Sequence, residues 1–321
     1  MEITKLEPRR SDSMSDRVRE MQKKILKLKE EKNAILLVHN YQRPEIQEIA
    51  DFLGDSLELA RAATKTSADI IIFCGVDFMA ETAHILNPKR KVILPSLESR
   101  CPMAAQLPAS LVRRVKERNP DVPFITYVNT LAEAKAEADI CCTSANAPRV
   151  VERVKNDGMV FMGPDRNLAW YSERVTSVRV IPVPEDGHCY VHKKFKPEDV
   201  LRLKKKYPDA VVIVHPECDP EVQQLADAIG STSQMVRFAH ETDAERIIVG
   251  TEIGLIDRLR RELPEKEFIP LREDAVCREM KMITLERVLS ALAEERPVVT
   301  VPEDVARRAE RGIRRMLEVL A

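Results

Sequence analysis

The sequence lacks an excess of charge of either sign. Its 51 Lys and Arg residues are balanced by 52 Asp and Glu residues, which gives a formal net charge of −1 at pH 7. A protein that binds nucleic acid or polyphosphate through bulk charge needs a basic surplus, so this balance argues against that class. The basic stretches alternate with Glu and are interpreted as solvated helix faces. We therefore expect no nucleic-acid partner.

The sequence also lacks long apolar runs. The longest, such as residues 35–38 and 211–214, are as short as a β-strand and cannot cross a bilayer. The opening residues MEITKLEPRRSDS are polar and contain no apolar segment of the kind found in a secretory signal. These features predict a cytoplasmic protein with no membrane partner. In a reducing compartment, its seven cysteines are expected to serve packing, metal binding or catalysis, because structural disulfides are rare there.

Closely paired cysteines of the zinc-knuckle type, in which two residues separate the two thiols, are absent as well. Three single cysteines, Cys101, Cys189 and Cys277, are instead spaced at two equal intervals of 88 residues. Equal spacing predicts three copies of one structural unit, each of which supplies one thiol to a shared centre.

Short apolar strands alternate with amphipathic helices along the whole chain, and the alternation restarts twice. This pattern predicts an α/β fold of three homologous parallel-sheet domains, related by pseudo-threefold symmetry around a central site. The stretches 44–63 and 220–230 are both predicted to be helical. The predicted divisions are an N-terminal tail and helix (1–33), three α/β repeats (34–121, 122–209 and 210–283) and C-terminal helices (284–321).

A shift of 88 residues also aligns polar residues that follow the apolar strands. The aligned sets are His39, Tyr127 and His215; Tyr41, Asn129 and Glu217; and Ser56, Ser144 and Thr232. CGVD, MGPD and VGTE also correspond, although the last is one residue out of register. Ligands of parallel sheets bind at the carboxyl ends of the strands, so these sets predict a site on the pseudo-threefold axis. At any single position, turn formation or helix capping is the alternative interpretation.

Three thiols from three loops fit two kinds of metal centre. They could bind zinc, with His188 or His192 as the fourth ligand, or three irons of a [4Fe–4S] cluster. A cluster with three cysteine ligands would keep one iron open as a Lewis acid for substrate. A zinc hydrolase and a non-catalytic iron–sulfur redox sensor are therefore both alternatives at this point. Cys74, Cys141 and Cys142 are interpreted as packing residues. Cys218, in HPEC beside other polar residues, is a weaker candidate for a ligand than the three evenly spaced cysteines.

Long motifs between about residues 34 and 286 resemble the quinolinate synthase family. They include HNYQRPEIQEIADFLGDSLELA, FCGVDFMAETAHILNP, YVNT, DICCTSANA, GPDRNLA, HPEC, GSTSQM and MKMITLE. The resemblance implies three homologous α/β domains around one [4Fe–4S] cluster per chain, held by Cys101, Cys189 and Cys277. It implies condensation of iminoaspartate with dihydroxyacetone phosphate to quinolinate, phosphate and water, a transferase reaction of NAD biosynthesis. It also implies a functional link to an aspartate oxidase or dehydrogenase.

The resemblance and the aligned sets together assign roles to further residues. The catalytic candidates are His39, Tyr41, Tyr127, Asn129, His215 and Glu217. Of these, His215 and Glu217 form a plausible general acid–base pair, and Tyr41 is expected to reach the substrate beside the cluster. The substrate-binding candidates are His39, Ser56, Tyr127, Asn129, Ser144, His192, His215, Glu217, Ser231 and Thr232. Some members of the family carry a second cysteine three residues after the last ligand; this chain has Met280 there and cannot form that disulfide.

Overall fold

The computed structural model describes the backbone of residues 10–319 and the side chains from residue 16 onward. The predicted tail before residue 10 and the last two residues of the chain lie outside the described residues. The described residues form three four-stranded sheets with helices packed around them, and the paired strands are parallel. This arrangement confirms the predicted α/β class with three parallel-sheet units. The residue numbers at which the units were divided stay a prediction.

The first unit follows a leading helix, α1 (Arg10–Glu31). Its strands are β1 (Ala34–His39), β2 (Phe52–Gly54), β3 (Ile70–Cys74) and β4 (Lys91–Ile93). Its helices are α2 (Pro44–Gln47), α3 (Ser56–Lys65) and α4 (Asp77–Leu86). Every residue of β3 is buried, as expected of a parallel strand that is covered on both faces.

The second unit repeats the plan. Its strands are β5 (Phe124–Tyr127), β6 (Ile140–Cys142), β7 (Met159–Gly163) and β8 (Arg179–Pro182). Its helices are α5 (Ala109–Arg118), α6 (Ala132–Glu137), α7 (Ala147–Val154) and α8 (Arg166–Thr176), with 3₁₀ turns at Ala104–Gln106 and His192–Lys194. The 3₁₀ turn at His192 directly follows the loop of Cys189, so it brings a histidine and a thiol close in sequence to the same end of the sheet.

The third unit has the strands β9 (Val211–Val214), β10 (Ala228–Ile229), β11 (Arg246–Gly250) and β12 (Glu267–Pro270). Its helices are α9 (Pro197–Lys206), α10 (Pro220–Leu225), α11 (Thr232–Glu241) and α12 (Gly254–Glu262). The chain then forms α13 (Arg278–Lys281), α14 (Leu285–Glu294) and α15 (Glu303–Glu318). The last two lie within the stretch 284–321, for which C-terminal helices were predicted.

The strand order is the same in the three sheets: β2-β1-β3-β4, β6-β5-β7-β8 and β10-β9-β11-β12. In each sheet, the second strand of the unit lies on one side of the first strand and the third strand lies on the other side. This arrangement creates a topological switch point, where parallel sheets bind ligands. His39 ends β1, Tyr127 ends β5 and His215 follows β9. The fold therefore places one aligned set of residues at the same point of each sheet.

The helix predictions for residues 44–63 and 220–230 were wrong in one respect, because each stretch contains an edge strand, β2 or β10. The same hydrogen bonds, repeated in all three units, explain these strands. An aspartate before each edge strand both donates its amide to the first strand and accepts an amide from it; in the first unit the partner is Leu36 (3.1 and 2.7 Å). The three aspartates, again 88 residues apart, are Asp51, Asp139 and Asp227. Apolar spacing alone did not reveal this pairing, since a short strand between helices resembles a longer amphipathic helix.

The C-terminal helices join the first two units. One hydrophobic cluster contains residues of both sheets and of α14 and α15, whereas the third sheet packs in two clusters of its own. Helix α15 lies against α6 and β6, and α1 lies against α14. Among the described helices, none combines the length and the apolar character needed to cross a membrane.

Candidate functional site

A cavity lies where the strand ends of the three sheets meet. The space open to the centres of water molecules is ≈ 70 Å³. An enclosed cavity lined by apolar side chains and a few convergent polar groups is typical of a small-molecule site. The predicted residues on its wall are His39, Tyr41, Ser56, Cys101, Tyr127, Asn129, Ser144, Cys189, His192, His215, Glu217, Thr232 and Cys277. Their predicted roles stay proposals, but the fold does bring them together.

Two residues considered from the sequence do not line this cavity. Ser231 caps α11 and donates to the Asp55 Oδ2 atom across 3.0 Å. His188 has its Nδ1 atom 2.7 Å from the backbone oxygen of Asp186. The role of Ser231 in substrate binding stays a prediction, and His188 lies outside the wall of the cavity.

The three evenly spaced cysteines each follow the last strand of their own sheet, and all three are free thiols. Burial raises the pKa of Cys101, Cys189 and Cys277. Neighbouring cysteines raise the pKa of Cys101 and Cys189 further. For Cys277 the value is about 12. Three soft, neutral thiols therefore share one buried space, and this donor set fits an iron–sulfur or zinc centre. Of the remaining cysteines, Cys218 is fully buried and its Sγ atom lies 3.6 Å from the Gly250 carbonyl, which accords with packing.

Carboxylates that the sequence analysis did not select hold the cysteine loops. The amide of Cys101 donates to Asp77 Oδ1 and the amide of Cys277 to Glu252 Oε1, both across 3.0 Å. Asp165 has the corresponding position in the second unit. Burial raises its pKa, and a hydrogen bond from the Cys189 amide partly offsets that rise. The signal was present, because these are the acidic residues of CGVD, MGPD and VGTE. The motifs were aligned, but their last residues were not recognised as supports of the thiols.

Glu217 is the centre of the polar wall. Tyr127 donates to its Oε1 atom across 2.7 Å, and the His192 Nδ1 atom lies 2.8 Å from its Oε2 atom. Burial opposes ionisation of this carboxyl group, yet attraction to His215 and His192 and the hydrogen bond from Tyr127 lower its pKa. Glu217 is therefore a carboxylate at neutral pH. Asn129 Nδ2 contacts the same oxygen as Tyr127, at 3.5 Å.

His39 and His215 have matching environments. The His39 Nδ1 atom accepts the amide of Tyr41 (3.1 Å), and the His215 Nδ1 atom accepts the amide of Glu217 (3.2 Å). Burial lowers the pKa of each imidazole to about 3. Both rings are therefore neutral at pH 7, with the proton on Nε2. In each case the hydrogen bond from the backbone amide fixes the tautomer of the ring.

A chain of hydrogen bonds connects Tyr41 to His192 through a residue that sequence reasoning missed. The Thr251 Oγ1 atom lies 2.6 Å from the Tyr41 hydroxyl and 2.9 Å from His192 Nε2. Thr251 follows the aligned glycine at the end of β11, so its position was the available signal. Lys281 lies behind Tyr41: its Nζ atom donates to the Tyr41 carbonyl (2.5 Å) and pairs with Glu252 (3.2 Å). Nothing in the pattern marked Lys281, because α13 meets the Tyr41 loop only in the folded chain.

The aligned hydroxyl residues lie at helix starts. Ser56 and Thr232 are the first residues of α3 and α11, and Ser144 lies just before α7. Hydroxyls and free amides at helix N-termini attract anions without requiring cations. The hydroxyl of Thr232 also accepts from Asn40 across 2.8 Å, which fixes its orientation. The wall therefore offers groups that suit a carboxylate or phosphate.

Comparison with known proteins identifies the family of this chain. A family model described as "Quinolinate synthetase A protein" matches residues 23–318. A protein of Methanothermobacter thermautotrophicus named quinolinate synthase is 56% identical over 301 residues, which cover 94% of this chain and 98% of the relative. One of Dehalococcoides mccartyi with the same name is 51% identical over 296 residues, 92% of this chain and 97% of the relative. The chain therefore belongs to the quinolinate synthase family.

Proposed function

We propose that the protein is a quinolinate synthase that condenses iminoaspartate with dihydroxyacetone phosphate to quinolinate, phosphate and water. The observation that carries this proposal is the meeting of three free thiols with a His, Tyr, Asn and Glu wall in one small cavity. The product would enter NAD biosynthesis, and an aspartate oxidase or dehydrogenase would supply the iminoaspartate.

Cys101, Cys189 and Cys277 would hold one [4Fe–4S] cluster. The absence of a fourth cysteine on the cavity wall within the described residues supports an open iron. When bound, the cluster would supply a Lewis acid for a substrate hydroxyl or carboxylate. A redox sensor would have no need of the histidine, tyrosine and carboxylate groups that converge beside the thiols, so the enzyme is the better proposal.

The residues of the chain then bind the substrates and move protons. Ser56, Ser144 and Thr232 would hold the anionic groups, because their hydroxyls lie at or beside helix starts. His39 and His215 each offer an Nε2–H donor to a carboxylate or carbonyl oxygen. Glu217 would accept protons during imine formation, tautomerisation and loss of water, each of which requires proton transfer.

Anaerobic reconstitution tests the proposal. The protein should bind about four irons per chain and show the visible charge-transfer absorption of an iron–sulfur cluster. With iminoaspartate and dihydroxyacetone phosphate, it should form quinolinate and release phosphate. Full cluster loading without quinolinate would contradict the function but leave the metal centre intact. A colourless protein that binds only zinc would contradict the cluster itself.

A second experiment tests the carboxylates that support the cysteine loops. Asp77→Ala removes the acceptor of the Cys101 amide, so we expect the cluster to be lost in air about 10-fold faster, in the range for outer partners of metal ligands. Asp77→Asn keeps an oxygen at the same place and should stay within about threefold of the unchanged protein. The decay of the visible absorption measures both. Equal losses in the two variants would show that the charge of Asp77 matters and not its hydrogen bond.

A further inference from the structure

Three different ligand types meet on one side of the cavity. One ligand atom from each of Cys189, His192 and Glu217 lies within 4.8 Å of the other two. His192 follows Cys189 by three residues through the 3₁₀ turn, and Glu217 follows β9, so two elements supply the set. His192 and Glu217 are both almost fully buried, with 1% and 3% exposure. The group is distinct from the three-thiol centre, although it shares Cys189 with it.

The contact between His192 and Glu217 leaves one buried ring nitrogen without a hydrogen-bond partner. The His192 Nδ1 and Glu217 Oε2 atoms are 2.8 Å apart, yet Nδ1 makes no hydrogen bond to any described residue. The other ring nitrogen faces the Thr251 hydroxyl at 2.9 Å, and Thr251 can accept its proton. With the ring proton on Nε2, the unpartnered Nδ1 atom and the Glu217 Oε2 atom are two ligand atoms side by side, and a cation bound to both would satisfy them.

The surroundings of the two ligands resemble those of a metal site. A histidine that binds a metal usually donates its other ring N–H to a fixed partner, and the Thr251 hydroxyl, 2.9 Å from His192 Nε2, can accept that proton. The carboxylate is similarly restrained, because Tyr127 donates to Glu217 Oε1 and leaves Oε2 free to face His192. Both ligands are therefore oriented before any ion arrives.

One thiol, one imidazole and one carboxylate suit zinc better than a hard cation such as magnesium or calcium. Three protein ligands plus one open position, which water fills, is the usual arrangement of a zinc ion exposed to a cavity. We propose that Cys189, His192 and Glu217 bind one zinc ion when the three-thiol centre lacks its cluster. The thiol of Cys189 gives up its proton on binding, and zinc then blocks cluster assembly because both need that sulfur.

The inference goes beyond the proposed function, and two variants separate it from the cluster. Full-length protein freed of metal by air and a chelator is titrated anaerobically with Zn²⁺ against a chromophoric chelator. Wild type and Cys101→Ser should each bind one zinc per chain with affinities within about threefold of each other. His192→Ala should weaken zinc binding by more than the roughly 10–100-fold typical of outer partners. Iron loading should show the reverse: lost in Cys101→Ser and kept in His192→Ala.

X-ray absorption at the zinc edge gives a direct measurement. We expect one sulfur and two or three nitrogen or oxygen neighbours around zinc. Three sulfur neighbours, or loss of zinc binding in Cys101→Ser, would overturn the proposal in favour of a three-thiolate zinc site. Unchanged zinc affinity in His192→Ala would overturn it as well.

Two controls keep these outcomes interpretable. His192→Gln preserves a polar side chain and should lose tight zinc binding like the alanine variant, while circular dichroism verifies that both variants are folded. Reconstitution of wild-type protein that was never exposed to zinc tests the proposed function separately. Failure there would leave the zinc result standing, and failure of zinc binding would leave the cluster result standing. Preincubation of wild type with one equivalent of zinc should prevent iron loading, and full loading under that condition would contradict competition for Cys189.

Discussion

Replacement of Cys189 by serine is expected to abolish cluster loading and, with it, quinolinate formation. A serine hydroxyl is a hard, weakly acidic ligand that does not replace a thiolate on iron. The other two thiols, Cys101 and Cys277, cannot hold three irons without it. Iron and sulfide content after anaerobic reconstitution, together with the visible absorption, measure the loss. The same variant should also lose the proposed zinc site, because Cys189 belongs to both.

Cys218→Ala is the matched control for this experiment. Cys218 directly follows Glu217 in the sequence, but it is fully buried and contacts the Gly250 carbonyl. We expect normal iron content in the alanine variant, with at most a modest loss of stability. Iron content that falls with Cys218→Ala and is retained with Cys189→Ser would reverse the ligand assignment.

Glu217→Gln is expected to lower kcat by about 10²–10⁴-fold, the usual contribution of a general acid–base group. The amide keeps the shape of the side chain and can still accept the Tyr127 hydroxyl, but it cannot take up a proton at neutral pH. Cluster loading should be unchanged, because Glu217 is not one of the three proposed thiol ligands. Steady-state kinetics of quinolinate formation on fully loaded protein measures the effect.

Glu221→Gln makes the same chemical change four residues further on, at an exposed position of α10. This control should retain full activity, since Glu221 is not among the residues that line the cavity. If Glu217→Gln retained activity within about twofold, its catalytic role would be refuted. If instead the variant failed to load its cluster, the role of Glu217 would be structural.

The two proposed metal centres have one physical basis. Burial keeps Cys189 protonated, so either centre forms only if its bonds to sulfur exceed the cost of releasing the proton. A cluster would gain bonds to two more thiolates, those of Cys101 and Cys277. Zinc would instead gain bonds to His192 and Glu217, which are already oriented. Which metal the protein carries should therefore depend on which one reaches the newly folded chain first.

Much of the site could be predicted because the repeat leaves a local record in the sequence. The strand ends carry their polar residues at fixed intervals, and parallel sheets bring those ends to one edge. The 88-residue spacing of the cysteines followed from the same repetition. The hydroxyl residues at helix starts were also visible in the sequence. For Ser231 the structure adds the capping of α11 and the contact with Asp55, while its role in substrate binding stays a prediction.

The sequence by itself determined the α/β class, the threefold repetition and the three thiols, because each depends on periodic or nearby residues. Tertiary structure alone decided that β2 and β10 are strands, since their hydrogen bonds come from a strand distant in the chain. It also decided that Thr251 joins Tyr41 to His192, and that Glu217 of the third unit contacts Tyr127 and His192 of the second. Contacts between residues so far apart have no period to reveal them, because they arise only when three separate sheets pack around one cavity.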